Sequence, residues 1–265
     1  MKTPREKCRD DREFDQTSLH ANMEGAKLHR DYTAHWHRWS FARRWIKKTD
    51  HVLEVGCGPE RPLWRMLFHG SFQLAASYTG VDLNKLTGLG SGHKQSTLLG
   101  EFDFTKNWRQ IPRPGEPGAS HGFDVAVHME VIEHMKVEHG KKLLKGCFEL
   151  LRPGGVMLMS TPVYDGKHHA ANHIHEYTVP ELQKMVEKAG FIVERRFGTF
   201  MNVRDIGKGI QNQFVDPENL VDHRQVHRMK QALADYYDND ALSAIFAPLY
   251  PDVARNNLWI CRRPA

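Results

Sequence analysis

One ten-residue stretch, His51-Val52-Leu53-Glu54-Val55-Gly56-Cys57-Gly58-Pro59-Glu60, limits what this chain can fold into more than any other. A short apolar run that ends in an acid and two glycines, just before a helix start, reads as strand, tight turn and helix. That order brings bare backbone N–H groups up to a nucleotide-like ligand at the head of a helix. Two details narrow the ligand. A dinucleotide fingerprint wants a third glycine where Arg61 stands, and it does not call for an acid two residues before the first glycine.

The residues that follow alternate between strand-like and helix-like patterns, which predicts a doubly wound, mostly parallel α/β sheet. After the opening strand, Pro62 to His69 reads as a helix with proline in its first turn. Ser77-Tyr78-Thr79-Gly80-Val81-Asp82 reads as a second strand, again ending in an acid. An acid there accepts hydrogen bonds from ribose hydroxyls, so Asp82 and its neighbour Leu83 are cofactor-site candidates. Residues 86–100 are rich in glycine and polar side chains, and their structure is left open. Glu101-Phe102-Asp103-Phe104-Thr105 reads as a further strand end, with Asp103 either at a ligand or capping a helix. Phe123-Asp124-Val125-Ala126-Val127 is the central strand, Phe191 to Phe197 the sixth and Asn257 to Cys261 the seventh.

Before the first strand, Leu19, Met23, Leu28, Tyr32, Trp36, Trp39, Phe41 and Trp45 recur at helical intervals. One or two amphipathic helices are expected, either as an aromatic lid over the ligand cleft or packed on the sheet. Nearly sixty residues separate the last two strands, too many for a bare loop. The expected organisation is a tail and helical cap over 1–48, a core over 49–197, a helical insertion over 198–256 acting as substrate lid or oligomer contact, and the last strand over 257–265.

At 265 residues the chain is long enough for a large buried core, and 40% hydrophobic with 26% charged residues is the balance of a globular enzyme. No apolar run approaches membrane-spanning length and the first residues are polar, so a cytoplasmic location without membrane contact is expected. Cys8, Cys57, Cys147 and Cys261 form no C-x-x-C pair, which suggests neither a disulfide framework nor a zinc knuckle. The net charge of +5 contains no long Lys/Arg block and is read mainly as surface charge.

Four motifs occur in order: Leu-Glu-Val-Gly-Cys-Gly at 53–58, the acid Asp82, Glu130-Val131-Ile132-Glu133-His134-Met135 directly after the central strand, and Leu150-Leu151-Arg152-Pro153-Gly154-Gly155 leading into a strand that ends Ser160-Thr161-Pro162. Together they resemble the class I, Rossmann-like, S-adenosylmethionine-dependent methyltransferases. The E-V-I-E-H run resembles the group that includes ubiquinone-biosynthesis O-methyltransferases and small-RNA 2′-O-methyltransferases. The resemblance covers about Thr49 to Phe197 and the last strand. It implies that Glu54, Gly56, Cys57 and Gly58 hold the methionine part of the cofactor. It also implies that Asp103 and Phe104 meet the adenine, and that Met129 and Glu130 lie at the cofactor as well.

A hydroxyl that accepts a methyl group must lose a proton, which calls for a general base or a metal. His173, His134 and His175 are the candidates for the base. If Glu130 to Met135 begins a helix, Glu130, Glu133 and His134 share a face, and together with His173 they would form a mixed oxygen and nitrogen set suited to Mg²⁺ or Mn²⁺. The small-RNA enzymes place their metal on the matching positions, yet Tyr164-Asp165 departs from the asparagine-containing segment expected there. No Asp/Asn-Pro-Pro-Tyr/Phe tetrapeptide follows the central strand, which turns the reading from base amino groups toward an oxygen acceptor. The expectation is methyl transfer to a hydroxyl of a small or medium-sized metabolite, with a homodimer left open. The alternatives are an RNA or nucleotide 2′-O-methyltransferase with a divalent metal, and a cofactor-binding protein without catalysis.

Overall fold

The computed structural model describes residues 30–68, 73–86, 94–115, 121–164, 166, 170–201, 228, 231–233 and 246–265, with the backbone alone for 30–36 and 200. Its elements are α1 (Arg30–Arg44), β1 (His51–Val55), α2 (Pro62–Leu67), β2 (Ser77–Val81), β3 (Ser96–Leu99), α3 (Phe104–Asn107), β4 (Phe123–Met129), α4 (Val137–Leu150), β5 (Leu151–Pro162), α5 (Val179–Lys188), β6 (Ile192–Phe200) and β7 (Asn256–Arg262). The strands form one seven-stranded sheet in the order β3-β2-β1-β4-β5-β7-β6. β7 runs antiparallel to β5 and β6, and the other neighbours are parallel. The expected doubly wound, mostly parallel sheet is therefore present.

Strand order reverses between β1 and β4, because β1 is followed outward by β2 on one side and faces β4 on the other. At such a reversal the loops leaving the two strands part in opposite directions and open a crevice at the carboxyl edge. The glycine turn, Asp82 and the E-V-I-E-H run all leave strands at that edge.

Alternation along the central strands builds one core on each face. Val52, Val125, Val127, Leu158 and Ile260 face Ala42 of α1, Ile46 just beyond that helix, and Leu63, Trp64 and Leu67 of α2. Leu53, Val55, Ala126, Met157, Met159, Trp259 and Cys261 face Leu143, Leu144 and Cys147 of α4 and Leu182 and Val186 of α5. Phe41 meets the Phe197 ring at 5.4 Å, so the C-terminal half of α1 packs its aromatic face on the sheet. The helices expected upstream of Arg30, and most of the expected insertion, lie outside the described residues.

Two expectations change. The open stretch contains β3, a short, half-exposed edge strand whose alternation is too brief to read. The expected strand end at Glu101 to Thr105 is instead a turn with Glu101 at φ 54 followed by α3, which Asp103 caps by accepting from the Thr105 amide. Cys57, Cys147 and Cys261 are free and buried. Among the described residues no helix is long and apolar enough to cross a membrane.

Candidate active site

On the donor side, the turn after β1 is held by backbone geometry. Gly56 sits at φ 72, and its N–H donates to the Val81 carbonyl at 2.8 Å. A side chain at this position would place its Cβ 2.5 Å from Cγ2 of Val131, so the turn and the E-V-I-E-H run touch through this glycine. Gly58, at φ 64, donates its N–H to Asp82 Oδ2 at 2.8 Å, and the Asn84 amide donates to Oδ1 at the same distance. Asp82 thus ties the glycine turn to the end of β2 with a charge-assisted pair of bonds. Leu83 beside it is 71% exposed.

Glu54 is buried, and its Oε2 accepts from the Tyr78 hydroxyl at 2.5 Å. Burial pushes its carboxyl up to about 8, against the opposing pull of the Tyr78 hydroxyl and the Trp39 indole, while the nearby Asp82 charge adds to the rise. Its side chain is turned under the turn toward Tyr78. Arg61 occupies the third-glycine position, buried and at φ 48, just before α2. Partial burial works against ionisation of Asp103, but Lys106 and two donors on Thr105 outweigh it and hold its carboxyl below the usual range. Phe104 opens α3 and turns inward against Gly146 of α4, and Met129 is buried in the sheet.

On the far side of the crevice, Glu130 leaves β4 in the left-handed region at φ 55. No helix follows. A single 3₁₀ turn spans Ile132–His134 and α4 begins only at Val137, so the expected helical face of Glu130, Glu133 and His134 does not form. Glu130 instead accepts from Ser160 Oγ at 2.6 Å and from Asn256 Nδ2 at 2.9 and 2.8 Å, with Arg38 Nη2 at 3.6 Å. Of the four expected metal ligands, the structure gathers three. Ligand atoms of Glu133, His134 and His173 all lie within 4.8 Å of one another.

The second loop reaches this cluster because the Ile174 and His175 amides donate to the Glu133 carbonyl at 2.8 and 3.0 Å. His134 and His173 meet with ring centroids 4.9 Å apart. His134 Nδ1 bonds to the Asn172 carbonyl at 3.0 Å, and His173 Nδ1 to Glu176 Oε1 at 2.5 Å. A carbonyl and a carboxylate only accept, so both Nδ1 atoms carry a proton, and in the neutral rings both Nε2 atoms keep a lone pair. Glu133 is fully buried; its Oε2 accepts from Thr161 Oγ1 at 3.2 Å, while Oε1 has no hydrogen-bond partner. Burial, and after it the Glu130 charge, push its carboxyl well above the usual range. His175 stands apart, bonded through Nε2 to Glu181 at 3.0 Å and packed edge-on to Tyr177.

Arg38, Ser160, Asn256 and Tyr78 escaped the sequence reading. Asn256 meets Glu130 across 126 residues of chain, so no local spacing could announce the pair. Glu176 lay within the H-x-x-E-aromatic segment and could have been read as the partner of His173.

A family model described as a methyltransferase domain matches residues 26–196, more than half of the chain. The chain belongs to this methyltransferase family. It is similar to a probable S-adenosylmethionine-dependent methyltransferase of Mycolicibacterium smegmatis, 40% identical over 100 residues, which are 36% of each chain. A tRNA U34 carboxymethyltransferase of Pseudomonas fluorescens is 28% identical over 210 residues, 68% of this chain and 62% of that one. A ubiquinone biosynthesis O-methyltransferase of Psychrobacter arcticus is 30% identical over 170 residues, 57% of this chain and 62% of the relative. The chain thus matches these relatives over between 36% and 62% of their length. A methyltransferase of known structure from Archaeoglobus fulgidus shares the fold with a TM-score of 0.54 at 14% identity, covering 94% of this chain and 100% of that one.

Proposed function

We propose that this methyltransferase moves the methyl group of S-adenosylmethionine to a hydroxyl of a small or medium-sized acceptor, as a member of the group that carries the E-V-I-E-H run. One observation supports the reading above the rest: His134 and His173 stand together beside the buried Glu133, each with Nδ1 engaged and Nε2 left as a lone pair. Methyl transfer from a sulfonium is an in-line displacement. The acceptor oxygen forms a bond to the methyl carbon as the carbon–sulfur bond breaks, and the sulfur keeps the electron pair. Orientation supplies most of the acceleration, worth effective molarities of about 10⁵–10⁸ M.

In this reading the glycine turn and Asp82 bind the cofactor, with Asp82 on the ribose hydroxyls, Leu83 and Asp103 toward the adenine, and Glu54 beneath the methionine end. His173 Nε2 takes the hydroxyl proton. Glu176 holds the ring in the required tautomer and stabilises the imidazolium that forms. Glu176 is itself fixed by the Ala170 amide at 3.0 Å.

The same cluster fits a divalent cation such as Mn²⁺. Glu133 has an orphaned buried oxygen, and the donor set is one carboxylate and two imidazoles, of which that of His134 is exposed. Glu133, His134 and His173 would hold the ion, which would lower the pKa of a bound hydroxyl. Glu130 is outside this set.

Two measurements test the proposal. Calorimetry should show S-adenosylhomocysteine binding and no NAD binding. Methyl-labelled S-adenosylmethionine should then pass label to a panel of phenols and catechols. Label passing only to RNA, with turnover that falls steeply as salt rises, would replace the small acceptor with a nucleic acid. Cofactor binding with no label transfer to either panel would leave a binding protein.

A further inference from the structure

The carboxylate of Glu130 is a meeting point of several elements near the crevice. Ser160 of β5 and Asn256 of β7 donate to it, and Arg38 of α1 lies against it. Asn256 passes the contact on, since its Oδ1 accepts from Thr199 Oγ1 of β6 at 3.1 Å. The Glu130 amide donates to the Ser160 carbonyl at 3.0 Å, which anchors the backbone as well. Arg38, Ser160, Thr199 and Asn256 are all buried. Phe200 and Asn256 are paired in the β6–β7 register, and the 201–255 segment leaves and returns at this pair. One carboxylate therefore touches the helix that precedes the core and the root of the segment inserted near its end.

The backbone supports a positioning role. A non-glycine residue at φ 55 is disfavoured and persists only where its surroundings over-determine it. Here the surroundings are donors from three separate elements. With its oxygens engaged in this way, Glu130 serves the fold around the crevice and not the Glu133, His134 and His173 cluster that the sequence spacing assigns it to.

We infer that Glu130 is a positioning residue that fixes α1 and the paired ends of β6 and β7 to the ends of β4 and β5, so that α1 and these strand ends border the acceptor side. The functional part of this inference rests on the proposed methyl transfer at that edge; the junction itself does not.

The test is amide hydrogen exchange on the full chain without ligand. Asn256→Asp removes the two donors and sets a second carboxylate against Glu130. Exchange in Arg30–Arg44 and in residues 198–201 should accelerate by about tenfold or more, with β1 and β2 within about twofold of the wild type. Adding Glu130→Gln restores a donor–acceptor pair and removes the repulsion, so the double variant should return to within about threefold. Arg38→Met breaks the helix contact alone and should speed exchange in Arg30–Arg44 while leaving 198–201 unchanged.

Unchanged exchange of α1 in both single variants would overturn the inference. So would uniform acceleration across all strands, or a double variant no slower than Asn256→Asp. Calorimetry of the wild-type chain with S-adenosylhomocysteine is read separately. Failure to bind would sink the proposed methyl transfer and leave the exchange result standing.

Discussion

The glycine turn and the strand-end cluster face each other across one crevice but are assembled over different lengths of chain. Asp82 reaches Gly58, and Tyr78 reaches Glu54, across 24 residues, and these contacts join the two strands of one β-α-β unit. Glu130 finds Ser160 across 30 residues and Asn256 across 126, while His134 meets the Asn172 carbonyl across 38. The first region follows from one local rule, that bare N–H groups need glycine and an acid at the next strand end. The second is a convergence of separate elements that only a closed sheet can bring about. Gly56 is where the two regions touch.

The largest expected effect tests that contact. Gly56→Ala combines a positive φ with a Cβ 2.5 Å from Val131 and should cost about 3 kcal/mol of stability in denaturant titration. Gly58→Ala has the same kind of backbone, but nothing within 4 Å of the added carbon, and should cost about 1 kcal/mol. Equal losses would mean that packing against Val131 does not couple the two regions.

Next in size, Asp82→Ala should weaken S-adenosylhomocysteine binding by more than about tenfold, because it removes a charged acceptor and frees the Gly58 amide. Unaltered affinity in calorimetry would take Asp82 out of the site.

On the opposite side, Glu133→Gln should lower Mn²⁺ affinity by about tenfold or more, whereas Glu130→Gln should change it by less than about twofold. Equal losses would return Glu130 to the ligand set and blur the division between the regions.

A further effect is graded with pH. Glu54 is raised from 4.5 to about 8 in the fold, so above 4.5 the unfolded chain releases this proton while the folded chain keeps it, and stability falls as pH rises toward 8. His128 is buried without a partner and is lowered from 6.5 to about 3, so below 6.5 the unfolded chain gains a proton that the folded chain refuses. Between 4.5 and 6.5 the two slopes oppose each other. From these two groups stability should be flat there and decline on either side by at most about 1.4 kcal/mol per pH unit. Thermal melts should show a shallower alkaline decline in Glu54→Gln than in the wild type, with the raised Glu133 carboxyl keeping a share of it. An unaltered decline would take Glu54 out of it.

Much of the donor side was legible because its signals are local. The acid and glycines at 54–58 and Asp82 stand where the structure places the turn and the end of β2. At Glu101 to Thr105 the turn and helix preference was stronger than the strand signal. Asp103 caps a helix, one of the two roles open to it, and Phe104 is buried at the start of that helix. The helix expected at Glu130 failed for a different reason. The residue types permit a helix, but the backbone at φ 55 and the donors on β5 and β7 stop it from starting. Strand β3 was missed because four half-exposed residues carry too little alternation to stand out.

By itself the sequence determined the alternating sheet, the glycine turn and the family, because periodicity, glycine and strand-end acids act through nearest neighbours along the chain. The tertiary structure alone decided which acids and imidazoles share a site. It separated Glu130 from Glu133 and paired His134 with His173, because those meetings depend on strand order, on a left-handed residue after β4 and on an asparagine that only the last strand delivers.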